Sequence, residues 1–407
     1  MNSPLNLNIL IRETRSLIRA SENVESDGLA GYKAWISPKD GTARIVTDLI
    51  SYQNKLISIA SILPELSKRF TQKTLINFSE KKILSDASDA TLPQSPHEFF
   101  KELLNIKPES ITVRTPISGI RLDNGVRNHK IGAFTFGYQE DVTDGATYPE
   151  AGMYVSVTIP DICDRDLAMQ RAEAAFEDVI RLIVFFSGRI DQSIAIRVGL
   201  PLLRDMSPTQ VYLGSSSYHF EDDNGNPISG QLSNTIAEKV PVNIDVFSAH
   251  EHLSQIWDLH NDLLSGRTLP DLDRRMLSAS LALGESCNTK DRRNSVIYTC
   301  IALEMLFSRD TNALFQKSIG SNISDLFAFV AGTDLSSRLA LAKLTKKVYG
   351  MRSAIVHGGN KEITPENLEI NVLLRAAVGQ LLISEKFKTV KKLDKLYELM
   401  QDAHYSY

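Results

Sequence analysis

Cysteine is scarce in this chain. Its 407 residues include three, at Cys163, Cys287 and Cys300. They are odd in number and lack CxxC spacing, so the sequence writes neither a disulfide framework nor a cysteine zinc site. Inert thiols in a reducing compartment are the simplest account. Long apolar runs are missing as well. Leu182 to Phe186 falls far short of the ~20 residues needed to cross a bilayer. The N-terminal MNSPLNLNILIRETRSLIRASE is too charged, and its apolar stretch too short, for a signal peptide. A cytoplasmic protein with no membrane partner is expected. There is no excess of positive charge: 45 Lys and Arg stand against 49 Asp and Glu, a net charge of -4. A protein that coats DNA by bulk electrostatics is excluded, and any nucleic-acid contact must be local.

Several signatures are also absent. No Walker loop and no GxGxxG occurs, so neither ATP nor NAD is expected, and no other cofactor is. His250, His252 and His260 lie in AHEHLSQIWDLH. On a helix the first two would point ~200° apart, and no HExxH spacing exists, so no metal site is expected. The acidic GYQEDVTDG at 137–145 lacks the calcium-loop pattern.

What is present is ordinary globular material, 43% hydrophobic and 23% charged, in an amount that suits two domains. The pattern predicts an α+β N-terminal region followed by an all-α C-terminal helical bundle, with a boundary near residue 268. In the region 1–265, residues 1–107 read as helical and 108–245 as mixed strands and helix. Helices are expected at 4–22, 43–71 and from Pro96 to Leu104, and 85–96 reads as a loop. Alternating, β-branched stretches predict strands at Ile111–Leu122, Gly132–Gln139, Met153–Pro160, Ser193–Leu200 and Thr209–Phe220. Asn124-Gly125 suggests a hairpin turn, and Glu221–Gly230 a loop. Asp164–Ser187 reads as a helix. From there to the end of the chain, helices are predicted at Ala249–Leu264, Leu272–Glu285, Ser295–Phe307, Leu335–His357, Pro365–Phe387 and Lys391–Tyr405, with 308–333 less regular.

The chemistry concentrates at the end of the Leu335 helix, which closes as YGMRSAIVHGG. Gly358 and Gly359 stop it, since glycine takes the left-handed cap conformation without steric cost. His357 then sits at the helix end, and histidine titrates near neutrality, as general acid–base catalysis requires. Arg352 precedes it by five positions, and its planar fork suits a phosphate. Five steps place the two side chains ~140° apart on an ideal helix. Either the helix is distorted at its end, or the site is a wide cleft shared with a second copy.

The pattern Arg, polar residue, three residues, His in RSAIVHG, with Ser353 as the polar residue, resembles the HEPN ribonucleases. IALEMLF at 301–307, SSRLALA at 336–342 and VYGMRSAIVHGG at 348–359 are similar in order and spacing to the Apea-like HEPN branch, over roughly residues 270–385. The resemblance implies a HEPN-like bundle that dimerises through the C-terminal helical domain and cleaves RNA without a metal. It makes His357 the general base or acid for attack by the ribose 2′-OH. Arg352 becomes the phosphate ligand, and Ser353 an orienting or phosphate-binding group. Products would be a 2′,3′-cyclic phosphate and a 5′-OH. It also implies a toxin or anti-phage (abortive infection) effector, with a phage-derived or protein trigger acting at the N-terminal region.

The supporting residues have alternatives. Glu304 is expected either to pair with Arg352 or Arg375 and orient the site, or to serve as a structural ion pair. Tyr349 either stacks a base or belongs to the core. Lys343, Lys346 and Lys347, and the run Lys386, Lys388, Lys391, Lys392 and Lys395, either contact RNA or form solvated faces. The alternative function is a non-catalytic HEPN dimerisation or scaffold protein that binds RNA or a protein partner.

Overall fold

A computed structural model describes residues 6–20, 35–36, 44–85, 92–138, 152–187, 195–199, 203–223, 225–243, 251–289, 291–309, 319–359, 362–364 and 368–405. The chain divides into two compact units, one of residues 1–111 with 159–172, the other of 112–158 with 173–407. The boundary expected near residue 268 is not where this division falls.

The first unit begins with α1 (Leu7–Ser16), whose N-cap Asn6 accepts a hydrogen bond from the Asn8 N–H. Three short strands follow, β1 (Ile18–Ala20), β2 (Trp35–Ile36) and β3 (Arg44–Val46), in antiparallel order β1-β3-β2. The expectation that residues 1–107 are purely helical is therefore corrected, and so is the single helix expected over 43–71. Residues 44–46 pair with β1, and α2 (Leu49–Ala60) starts only where Asp48 accepts the Ser51 N–H. Beyond α2, Pro64 lacks the N–H a continuing helix needs, and the chain makes only a 3-10 turn at Leu66–Lys68. A helix not foreseen, α3 (Gln72–Ser85), comes next, then α4 (Pro96–Phe99) and α5 (Lys101–Leu104). Leu10, Ile11, Tyr52, Leu56, Ile59, Phe70 and Leu75 fill the core with Phe99 and Phe100. Asp164 ties this unit together: its Oδ2 accepts from the Thr71 N–H and from the Thr71 and Thr74 hydroxyls at 2.6–2.9 Å. Its Oδ1 caps the Asp166 N–H.

In the second unit, β4 (Glu109–Ser118), β6 (Asn128–Ile131), β7 (Phe134–Tyr138), β8 (Met153–Ile162) and β9 (Arg197–Val198) form a sheet of order β6-β7-β8-β4-β9. Its hairpin turns at Gly132-Ala133, between the paired Ile131 and Phe134. Asn124-Gly125 does turn, with both residues at positive φ. It connects β5 (Ile120–Arg121) to β6, and β5 pairs instead with β13 (Val240–Pro241). A separate sheet, β10-β11-β12, contains β10 (Arg204–Ser207), β11 (Gln210–Glu221) and β12 (Pro227–Glu238). The loop expected over 221–230 thus shrinks to a turn. The segment 139–145 lies outside the described residues.

The helix expected from Asp164 is α6 (Arg165–Ser187). It is followed by α7 (Glu251–Leu264), α8 (Asp271–Asn288), α9 (Arg292–Phe307), α10 (Ile319–Ala331), α11 (Leu335–Val356), α12 (Ile370–Ile383) and α13 (Leu393–Tyr405). The segment 308–333, expected to be less regular, contains the regular helix α10. The C-terminal half of α6 belongs with these helices, which is why the division falls earlier in the chain than the sequence suggests. Arg181 pairs with Glu285 on α8, and Trp257 on α7 stacks on Phe186. Gly284 lies so close to the Arg181 carbonyl that a Cβ would fall 2.0 Å from its oxygen. Helices α8, α9 and α12 share a buried polar network. Ser286 contacts the Ser295 and Thr299 hydroxyls at 3.0 and 2.9 Å, Thr299 donates to Asn371, and the Asn371 amide returns to Ser286. Each polar group removed from water here has a partner.

Candidate functional site

Helix α11 opens with a capping box. The Asp334 carboxylate accepts the Ser337 N–H, and the Ser337 hydroxyl accepts the Asp334 N–H. Leu341, Thr345, Val348 and Met351 form its buried stripe. The other end closes in a Schellman motif: the Gly359 N–H reaches the Ala354 carbonyl and the Gly358 N–H the Ile355 carbonyl, with Gly358 at φ +76°. His357 is the C-cap residue. The two glycines stop the helix as expected, and they place the imidazole at its solvent-exposed end. No hydrogen bond ties that imidazole to the described residues.

Arg352 lies one turn earlier, on the flank facing α9. Its Nη1 is 3.4 Å from Glu304 Oε1, with the two side chains 39% and 30% exposed. Of the two partners expected for Glu304, the structure pairs it with Arg352. Arg375 is engaged elsewhere, donating to the Phe186 carbonyl at the end of α6, over the Phe185 ring. An arginine held by one carboxylate oxygen keeps further N–H donors, so the pair orients the guanidinium without saturating it.

Beneath this pair sit Cys300 and Tyr349. The Cys300 thiol points at the Val348 carbonyl, and burial pushes its pKa up to about 12. The Tyr349 hydroxyl is buried with no partner in good hydrogen-bonding geometry, although it lies beside Glu304. Burial, and then the neighbouring Glu304 carboxylate, push its ionisation far above the usual phenol range. Tyr349 therefore faces inward, next to Gly320 of α10, and not towards solvent where a base could stack.

Ser353, Lys343, Lys346 and Lys347 are all exposed. On a regular helix Lys346, Ser353 and His357 fall within roughly 40° of one another, so they line one solvent-facing stripe. Among the described residues of the second run, Lys391 is bound to Asp273 and Lys388 to Glu385, while Lys395 pairs with Glu398. Two basic residues not singled out in the sequence also meet this end of α11. Arg293 donates to the Gly359 carbonyl at 3.1 Å and Arg292 to the Ile363 carbonyl. The Asp291-Arg-Arg start of α9, with Asp291 as N-cap, was the available signal.

The chain matches no family model, no curated protein and no solved structure.

Elsewhere, His260 is buried beside Asp178 at 3.3 Å. His250 lies outside the described residues. Among the described residues, no three His, Cys, Asp or Glu side chains converge as metal ligands would, and no helix is long and apolar enough to cross a membrane.

Proposed function

We propose that this protein is a metal-independent endoribonuclease of the HEPN type, with Arg352 and His357 as its catalytic residues. The observation that carries the reading is the end of α11. There an exposed histidine, with no hydrogen-bond partner among the described residues, follows by five residues an arginine already oriented by Glu304. In the reaction, the His357 imidazole takes the proton of a ribose 2′-OH, and that oxygen attacks the adjacent phosphorus. Arg352 holds the non-bridging oxygens as charge builds on them. The 5′-oxygen leaves with a proton supplied by a second acid, giving a 2′,3′-cyclic phosphate and a 5′-OH. DNA has no 2′-OH and is not cut.

Arg352 and His357 diverge by ~140° around a regular helix, so a site that uses both is best completed by a second copy. The exposed face of α11 supports that arrangement: Leu335, Leu339 and Val356 are apolar and well exposed, flanking the lysines, Ser353 and His357. A homodimer through the helical domain would bring two such ends together and supply the second acid. A chain of this activity would act as a toxin or anti-phage effector, held idle until a phage-derived or protein trigger engages its N-terminal region.

The same exposed α11 face also favours a second reading, a scaffold that dimerises or binds RNA without cutting it. Purified protein incubated with total cellular RNA in EDTA separates the two. Cleavage by the wild type, lost in His357→Ala and Arg352→Ala, with 2′,3′-cyclic phosphate ends, supports the nuclease. Wild-type cleavage that survives His357→Ala, or that disappears in EDTA, refutes it.

A further inference from the structure

Helix α11 carries five lysines and arginines and no aspartate or glutamate, in a chain whose net charge is -4. Among the described residues, only Arg352 of these five meets a carboxylate, that of Glu304. Arg338 is the first of the five. Its stem lies against Gly332, where a Cβ would fall 2.5 Å from the Arg338 Cγ, and its Nε donates to the Gly332 carbonyl at 3.3 Å. No described residue takes up its Nη groups. The guanidinium stands 5.7 Å from the centre of the Phe329 ring on α10. The same ring carries a second cation. Lys386, in the turn after α12, places its Nζ 3.7 Å from the Phe329 centre and 5.2 Å from that of Phe387, and the two rings meet edge to face.

Each cation is attracted to the ring face, but the two repel each other. Burial, and then the Arg338 charge, hold the Lys386 ammonium below its ordinary pKa. The acids beside them in sequence are committed elsewhere. Glu385 pairs with Lys388, and Asp334 caps α11 while accepting the Thr333 hydroxyl. Neither cation has a carboxylate partner among the described residues, so the component that completes the cluster is an anion. A guanidinium fork beside an ammonium suits phosphate oxygens. The place of the cluster on α11 says which phosphate. Arg338 precedes Arg352 by fourteen residues, close to four turns, so the two lie within ~40° of one another and ~21 Å apart along the axis. A stacked strand rises ~3.4 Å per nucleotide, so that gap spans about six nucleotides.

We propose that Arg338 and Lys386, set over Phe329, form a phosphate-binding site that grips the backbone of an RNA strand about six nucleotides from the phosphate held by Arg352. The six-nucleotide register rests on the nuclease reading, whereas the grip itself requires no cut. Phosphate contacts carry no sequence information. The site therefore fixes where a strand lies and how long it must be, and not which bases it carries.

Binding of an RNA that cannot be cut tests it. The probe is a fluorescein-labelled decanucleotide with 2′-O-methyl ribose throughout, titrated with the full chain and read by anisotropy over a salt series. We expect Arg338→Gln and Lys386→Gln each to weaken binding about tenfold. Each should also reduce the slope of log affinity against log salt by about 0.7, the share of one phosphate on a single strand. The loss should be equal for oligo-U and oligo-A decamers. Arg338→Lys and Lys386→Arg keep the charge and should keep the slope. Lys386→Glu gives Arg338 an internal partner, so binding should fall while thermal melting holds or rises. Wild-type slopes in both glutamine variants, or a wild type that does not bind the decamer, would overturn the proposal. So would lowered melting of Lys386→Gln and Lys386→Glu with decamer affinity within about twofold of wild type, which would make the pair a prop for Phe329. Thermal protection by inorganic phosphate, with decamer binding indifferent to both residues, would reduce the cluster to a small-anion site and also overturn it. A decamer gripped through Arg338 and Lys386 beside natural RNA left uncut sinks the nuclease reading and leaves the grip standing. Cutting with unchanged slopes does the reverse.

Discussion

If Arg352 holds the scissile phosphate, Arg352→Ala removes a transition-state contact and almost nothing else. The ion pair it breaks is the 3.4 Å contact with Glu304, both of whose side chains are about one-third exposed. Solvent screening limits such a pair to about 0–1 kcal/mol. In a large folded unit that corresponds to a melting shift of no more than about 4 °C. Glu304, left behind, is still reached by water, so no buried charge is orphaned. Catalysis responds on another scale. Losing one pre-oriented donor to a developing oxyanion costs about 10²- to 10³-fold in rate, or roughly 3–4 kcal/mol. Arg352→Lys keeps the charge but loses the planar fork, and should fall between wild type and alanine. The assay is the initial rate of cleavage of a fluorophore-quencher RNA in EDTA, read beside a thermal melt of the same preparation. A rate within about threefold of wild type would show that Arg352 does not touch the transition state. A melting drop well beyond about 4 °C would show that its pair with Glu304 is structural first.

Tyr349→Phe removes a buried hydroxyl that has no partner in good hydrogen-bonding geometry, so we expect thermal stability to hold or rise, by up to about 1 kcal/mol. A clear loss of stability would mean that the hydroxyl hydrogen-bonds in solution. Cys287 and Cys300 have pKa values raised by burial to about 11 and about 12, which leaves at most about one thiol in a thousand ionised near pH 8. A thiol reagent should therefore spare both in the native protein and label them only after denaturation; fast native labelling of either would refute the packing around them. Burial pushes the Asp164 carboxyl up, but hydrogen bonds from Thr74, Thr71 and the Asp166 N–H outweigh it and hold the group below its ordinary value. A carboxyl depressed on folding stabilises above its unfolded pKa, about 4, and loses that contribution as pH falls through its folded value. Melting curves taken down an acid series should thus be less pH-dependent in Asp164→Asn than in wild type, and equal slopes would refute the assignment.

Elements with one buried stripe were legible in the sequence. Helix α6 and all but one of the described helices after residue 250 were expected from the sequence, and α11 also by its stop at Gly358. Elements without such a stripe were not. Helix α10 is buried at five successive residues, Leu326 to Val330, a short continuous apolar run that periodicity alone cannot assign to helix or strand. β12 fails in the opposite way: exposed on both faces and rich in Ser, Gly, Asn and Gln, it has no buried alternation to read. The bounds of α2 depended on two single residues, the cap Asp48 at its start and Pro64 beyond its end, inside an otherwise continuous apolar pattern. Asn124-Gly125 gave the right local turn and the wrong pairing, because strand partners are chosen by side-chain burial across a sheet rather than by the turn alone.

The candidate site divides along the same line. The positions of Arg352 and His357 follow from local rules, a helix and its glycine stop, and were readable. The environment that gives them meaning is non-local. Glu304 could have met Arg352 or Arg375, and the choice was made by packing: Arg375 caps the end of α6 at Phe186, which leaves Glu304 to Arg352. Tyr349 could have faced a ligand or the interior, and packing beside Gly320 of α10 buries its hydroxyl. Arg293 reaches the carbonyl of Gly359 from 66 residues earlier in the chain, a meeting no spacing rule encodes. The end of one helix and the residues it displays can be read from sequence. The ionic surroundings that orient it are set by which helices pack together, and only the folded chain supplies that.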